Sequence, residues 1–219
     1  MGTIFKNGET LLFIGDSITD CGRMDDRFKP LGCGYVNMFN DMLLTREPKK
    51  NIRIINRGVG GNTSEDLRSR WVDDVIAHRP DWLVIKIGIN DINRFLSNQG
   101  PVLISPEVFE EIYTHLMELS KRSLPSCRIV LIDPFYGSSD TTPGSYRAKV
   151  AALLPRYCEV VARIASIHLA RHLKLHDIFQ AKLAIQPAGI YFPLEPVHPA
   201  SAGHFLIAES LYNELSVPD

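Results

Sequence analysis

Four short apolar runs constrain this chain more than any other feature. Residues 10–15 (TLLFIG), 52–57 (IRIINR), 82–88 (WLVIKIG) and 128–133 (RIVLID) are rich in Leu, Ile and Val and show no sustained polar–apolar alternation. A strand covered on both faces, as in a parallel sheet between helices, calls for such a run. Residues 173–178 (LKLHDI) form a weaker fifth candidate.

Helical patterns lie between them. Residues 34–46 place Tyr35, Phe39, Met42 and Leu43 at helical spacing. The segment 63–78 follows Asn62 and Thr63, either of which can cap it, and stops before Pro80. Ser105-Pro106 is a cap followed by Pro at the first helical position, predicting a helix to about Ser123, closed by Leu124-Pro125. Residues 145–172 are helical in pattern, with Pro155 expected to kink or restart them, and a last helix follows Pro199 to about Leu215. Strands alternating with helices imply right-handed βαβ units. No repeat, low-complexity stretch or linker divides the chain. Residues 1–219 therefore read as a single α/β domain: a three-layer α/β/α sandwich on a parallel sheet of about five strands, flavodoxin-like in outline.

Charge narrows the partners. The chain carries 24 basic and 25 acidic side chains with no basic block, which argues against nucleic acid. The longest apolar runs are strand-sized and too short to span a bilayer, and the N-terminal MGTIFKNGET lacks the apolar core of a leader. Cysteines 21, 33, 127 and 158 form no CxxC pair and read as mostly buried thiols of a reducing compartment. The expected location is cytoplasmic. His168, His172 and His176 are spaced by four but lack a completing ligand set, so they read as surface or capping residues, with no metal.

In a parallel sheet of this kind, ligands bind beyond the carboxyl ends of the strands. The residues just after each run are therefore informative. Gly15-Asp16-Ser17-Ile18-Thr19-Asp20 comes after the first, Gly58-Val59-Gly60-Gly61-Asn62-Thr63 after the second, and Gly88-Ile89-Asn90-Asp91 after the third. Glu195-Pro196-Val197-His198-Pro199 precedes the last helix. A serine hydroxyl becomes an effective nucleophile when an adjacent base takes its proton, and histidine suits that task near neutrality. Backbone N–H groups of a glycine turn and a side-chain amide can stabilise the oxyanion that forms. A carboxylate on the far imidazole nitrogen would fix the tautomer. Asp16 and Asp20 flank Ser17 and read as braces for its loop, and His204 as structural. The segments 20–33, 92–104 and 135–145 are expected to shape the pocket; Trp71, Tyr35 and Phe28 read either as core residues or as a stacking wall, and Phe135 either as core or as rim. No serine has glycine at both −2 and +2, so the elbow of ordinary α/β-hydrolases is absent.

GDSITD, the glycine loop, GIND and the late HP segment resemble, in order, the four blocks of the SGNH (GDSL-type) hydrolase family, spanning residues 11 to 204. The resemblance implies Ser17 as nucleophile and His198 as base, with an oxyanion hole made by the backbone N–H groups of Ser17 and Gly61 and the Asn90 amide. It implies no cofactor and no metal. The family usually carries Asp three residues before the histidine, where this chain has Glu195. Three arrangements stay open: Glu195 orients His198, a Ser–His dyad works alone, or a backbone carbonyl takes over. The strings LLFIGDSITDCGR, GYV, GNTxxDLxxRW and HPxxAGH are similar to the branch containing intracellular xylan acetylesterases. That implies a short-chain, foremost acetyl, serine esterase acting on small carbohydrate esters such as acetylated xylo-oligosaccharides. A general short-chain carboxylesterase or lysophospholipase-like enzyme, and a non-catalytic sugar-binding descendant, are the alternatives. Neither membrane nor nucleic acid is expected as a partner; a homo-oligomer is left open.

Overall fold

The computed structural model describes residues 2–138 and 140–216. Five strands, β1 (Thr10–Gly15), β2 (Arg53–Gly58), β3 (Trp82–Lys86), β4 (Arg128–Ile132) and β5 (Arg171–Leu173), form one sheet in the order β2-β1-β3-β4-β5. Every pairing is parallel. The helices are α1 (Ser17–Asp20), α2 (Tyr35–Arg46), α3 (Ser64–Asp74), α4 (Ile89–Ser97), α5 (Pro106–Ser123), α6 (Tyr146–His168), α7 (Leu175–Leu183) and α8 (Ser201–Glu214).

Burial explains the apolar runs. Leu11 to Ile14 and Leu83 to Ile85 are wholly inaccessible, so both faces of the central strands are covered. Phe13 meets Tyr35 and Phe39 of α2, and Phe39 meets Tyr212 of α8. Its neighbours Leu12 and Ile14 point to the opposite face, as alternation along a strand requires. Trp71 of α3, bonded through Nε1 to Ser120 of α5, belongs to the other helical group.

The strand order reverses between β1 and β3, which opens a crevice at their carboxyl ends. Gly15 is in register with both Gly58 and Lys86, so the first three strands end at one level and their loops meet. Close approach is built in at Gly58: a Cβ there would lie 2.2 Å from the Asp20 backbone nitrogen, so only glycine lets α1 sit against β2.

Several boundaries differ from the sequence reading. The fifth strand is Arg171–Leu173, and most of the stretch expected as strand is α7. The apolar positions there are too few to separate strand from helix by period. Residues 89–97 are helical, so Asn90 lies in a first helical turn and residues 92–97 are not loop. Helix α3 ends at Asp74, and a 3-10 turn takes up Ile76–His78. Helix α6 runs as one element through Pro155 and ends at His168, earlier than expected. Its length and buried face (Val150, Leu154, Tyr157, Val161) outweigh one missing donor.

Candidate active site

Ser17 is the first residue of a one-turn helix set directly on the end of β1. The cap is Asp16, whose Oδ1 accepts from the Ile18 N–H at 3.0 Å. The turn stops at Cys21, which is left-handed and returns its N–H to the Ser17 carbonyl at 2.9 Å. Asn56 of β2 clasps the far end, its Nδ2 donating to the carbonyls of Thr19 (2.7 Å) and Leu31 (2.8 Å). Asp16 and Asp20 differ: Asp16 is fully buried, whereas Asp20 lies near the surface beside Arg23.

The serine reaches across the chain. Its Oγ lies 2.7 Å from His198 Nε2, and His198 Nδ1 lies 2.5 Å from Glu195 Oε1. The extra methylene of Glu195 is taken up by folding the side chain back over its own turn. Oε1 accepts from the His198 N–H at 2.8 Å and Oε2 from the Val197 N–H at 2.7 Å. Two backbone donors thus hold the carboxylate beside the ring. The dyad is open: 56% of the His198 side chain and 39% of the Glu195 side chain are accessible.

The glycine loop faces this pair. Gly61 has φ +76°, a conformation that favours glycine, and an added Cβ would meet nothing within 4 Å. The backbone N–H groups of Ser17 and Gly61 have no acceptor among the described residues. Asn90 donates one Nδ2 hydrogen to the Asn62 carbonyl at 3.0 Å, which leaves the second amide hydrogen available. Asp91, next along, accepts from the Ser64 N–H (2.9 Å) and hydroxyl (2.6 Å), drawing the starts of α3 and α4 together. Burial raises its pKa to about 6, against the Ser64 hydrogen bonds that lower it.

Two arginines brace the loops. Arg70 donates to the carbonyls of Arg57 (2.8 Å) and Gly15 (3.2 Å) and to Asn62 Oδ1 (2.8 Å), tying together the ends of β1, β2 and the glycine loop. Arg94 donates to the Gly61 carbonyl at 2.9 Å. Sequence reasoning missed both, along with Asn56 and Lys86. Only Lys86 left a signal, as the one charge inside WLVIKIG.

Other expectations need correction. Of the two roles open to the aromatics, Trp71 and Tyr35 take the core, being wholly buried, and so does Phe135, packed on Phe179 and Phe192. Phe28 alone of the wall candidates is exposed. The cysteines are not mostly buried: Cys33 is exposed, the other three are half-buried, and the Cys21 and Cys33 sulfurs lie 3.6 Å apart. The three histidines spaced by four fall on α6, β5 and α7, and His172 is no surface residue but bonds Asp133 at 2.6 Å. His204 accepts the Tyr35 N–H at 3.2 Å through Nδ1, and burial lowers its pKa to about 4.

The sequence profile of the GDSL-like lipase/acylhydrolase family matches residues 13–206. The chain belongs to this family. The hydrolase is 36% identical to an acetylxylan esterase of Geobacillus stearothermophilus over 95% of its own length and 94% of the relative's. The crystal structure of an acetylxylan esterase from that organism superposes on the hydrolase with a TM-score of 0.86 at 33% identity, covering 97% and 96% of the two chains. A hydrolase from the metagenome of Lake Arreo gives a TM-score of 0.86 at 29% identity, covering 98% of each. The present chain is thus a carboxylic ester hydrolase with an α/β fold.

Proposed function

We propose that the hydrolase removes short acyl groups, acetyl foremost, from carbohydrate esters such as acetylated xylo-oligosaccharides, through an acyl-serine at Ser17. The observation that carries this reading is the continuous chain Ser17 Oγ–His198–Glu195, at 2.7 and 2.5 Å, open to solvent. Ser17 Oγ attacks the ester carbonyl as its proton passes to His198 Nε2. The imidazolium is stabilised by Glu195, and the oxyanion by the N–H groups of Ser17 and Gly61 and the second amide hydrogen of Asn90. His198 then protonates the departing sugar alkoxide. A water molecule, deprotonated by His198, attacks the acyl-serine and releases the carboxylic acid.

The substrate class leans on the relatives. The Geobacillus stearothermophilus enzyme is named an acetylxylan esterase, and solved forms described as its catalytic mutants replace a serine, a histidine and an aspartate with alanine. That aspartate stands three residues before that histidine, as Glu195 stands before His198 here. The test compares p-nitrophenyl acetate with p-nitrophenyl octanoate, then follows acetate release from acetylated xylo-oligosaccharides, with Ser17→Ala alongside. Turnover of acetate and oligosaccharide, little octanoate activity and a dead Ser17→Ala variant are expected. Preference for octanoate would overturn the short-acyl reading. Equal activity of wild type and Ser17→Ala would overturn the nucleophile.

A further inference from the structure

A lysine inside a parallel strand is costly, because its ammonium loses water that the surroundings must replace. Lys86 ends β3 in register with Gly15 and Ile132, and its side chain has no accessible surface. Its Nζ lies 3.1 and 3.3 Å from the two carboxylate oxygens of Asp16, which is itself wholly buried. On another side the ammonium stands 4.8 Å from the centre of the Phe135 ring. Asp91 of α4 and His204 of α8 are the other titratable groups that feel this charge. Burial pulls the lysine pKa down, and the Asp16 carboxylate opposes that pull.

Stability alone does not call for such a pair. A buried ion pair does no better, as a rule, than a well-packed apolar pair of the same volume. Asparagine at position 16 would cap α1 as well as aspartate does. What the pair supplies is orientation. Both Asp16 oxygens face Lys86, Oδ2 the nearer, and Oδ1 also takes the Ile18 N–H, so one carboxylate joins β3 to the turn that carries Ser17. That turn is four residues long and cannot hold its own shape; its place depends on its caps.

We propose that Lys86 is a positioning residue for the nucleophile: its buried ammonium holds the Asp16 carboxylate in the rotamer that caps α1, and thereby holds Ser17 against His198. The proposal rests on Ser17 being the nucleophile. It belongs to Lys86 and not to Asp16 alone, because the carboxylate has no other cationic partner among the described residues.

The test is steady-state kinetics on p-nitrophenyl acetate with the full chain. Lys86→Met should lower kcat about 10²-fold, the scale of a misplacement of about 1 Å, with KM moved less than about threefold. Lys86→Met with Asp16→Asn removes both charges and keeps the cap, and should recover at least about tenfold of the loss. Wild-type kcat in Lys86→Met overturns the proposal. A double variant no faster than Lys86→Met also overturns it, since Lys86 would then not act through Asp16. Should the single variant not fold, the double variant decides: kcat within about tenfold of wild type supports the proposal, and a larger loss refutes it. Ser17→Ala and labelling of Ser17 by a fluorophosphonate run alongside. An active Ser17→Ala enzyme breaks the nucleophile reading itself and takes this proposal with it.

Discussion

Two histidine–carboxylate pairs sit near the carboxyl ends of the strands, nearly identical in distance and opposite in setting. His198 and Glu195 meet at 2.5 Å with 56% and 39% of their side chains accessible. His172 and Asp133 meet at 2.6 Å with 14% and 4% accessible, where β5 runs beside the end of β4. The His198 pair has the Ser17 hydroxyl on its other nitrogen; the His172 pair has no hydroxyl there among the described residues. Burial raises the Asp133 carboxyl while His172 draws it back, as expected of a pair that fastens an edge strand. A carboxylate–imidazole bond is therefore not a catalytic signature by itself. The free nitrogen must face a nucleophile, and the nucleophile must face open space.

The comparison breaks most decisively at the reacting atoms. Ser17→Ala and His198→Ala should each lower kcat by about 10⁵–10⁶-fold, measured as acetate release under saturating substrate. Glu195→Ala should cost about 10³–10⁴-fold, leaving more activity than either, since the ring keeps its nucleophile and loses only its orienting partner. An unchanged rate in Glu195→Ala would make the exposed pair no more catalytic than the buried one. Asn90→Ala should cost about 10²–10³-fold in kcat with a smaller change in KM, the mark of an oxyanion donor.

The remaining effects are on stability. Asp91 has its pKa raised to about 6 from 3.8 by burial. Because the folded state holds that proton more tightly, the contribution is complete below the ordinary value and is lost as pH rises through about 6. Asp91→Asn keeps an acceptor for Ser64 and cannot ionise. It should gain on the wild type by up to about 3 kcal/mol between pH values of about 4 and 7, read from urea unfolding at both. His172→Ala should cost about 1–3 kcal/mol by the same method and leave kcat within about threefold. A loss of activity matching that of Glu195→Ala would erase the distinction between the two pairs.

The central architecture was legible because it rests on local chemistry. Runs such as TLLFIG and RIVLI state their burial residue by residue, and Ser105-Pro106 states its cap, so β1, β4 and α5 fall where the sequence puts them. The short elements were not legible. Helix α4 opens on Ile89, Asn90 and Asp91 with no side-chain cap bond, held by the Asp91–Ser64 contact across the crevice, and LKLHDI has too few periods to separate strand from helix. The aromatic residues left a choice open for a related reason: the side chains of Trp71 and Tyr35 suit a core or a sugar wall, and only packing places them inside.

By itself, the sequence determined the alternation of strand and helix, the residue types at each strand end and the order of the four segments that mark the family. The resemblance to the family's four blocks, and not spacing alone, is what singled out Ser17, Gly61, Asn90, Glu195 and His198. Tertiary structure alone decided which groups touch. Ser17 and His198 are 181 positions apart, Lys86 and Asp16 are 70 apart, and the fold of Glu195 back over its own turn depends on two backbone donors that no spacing rule specifies. Periodicity and turn chemistry act over a few residues, whereas hydrogen bonds and ion pairs across the crevice exist only once the parallel strands have aligned their ends.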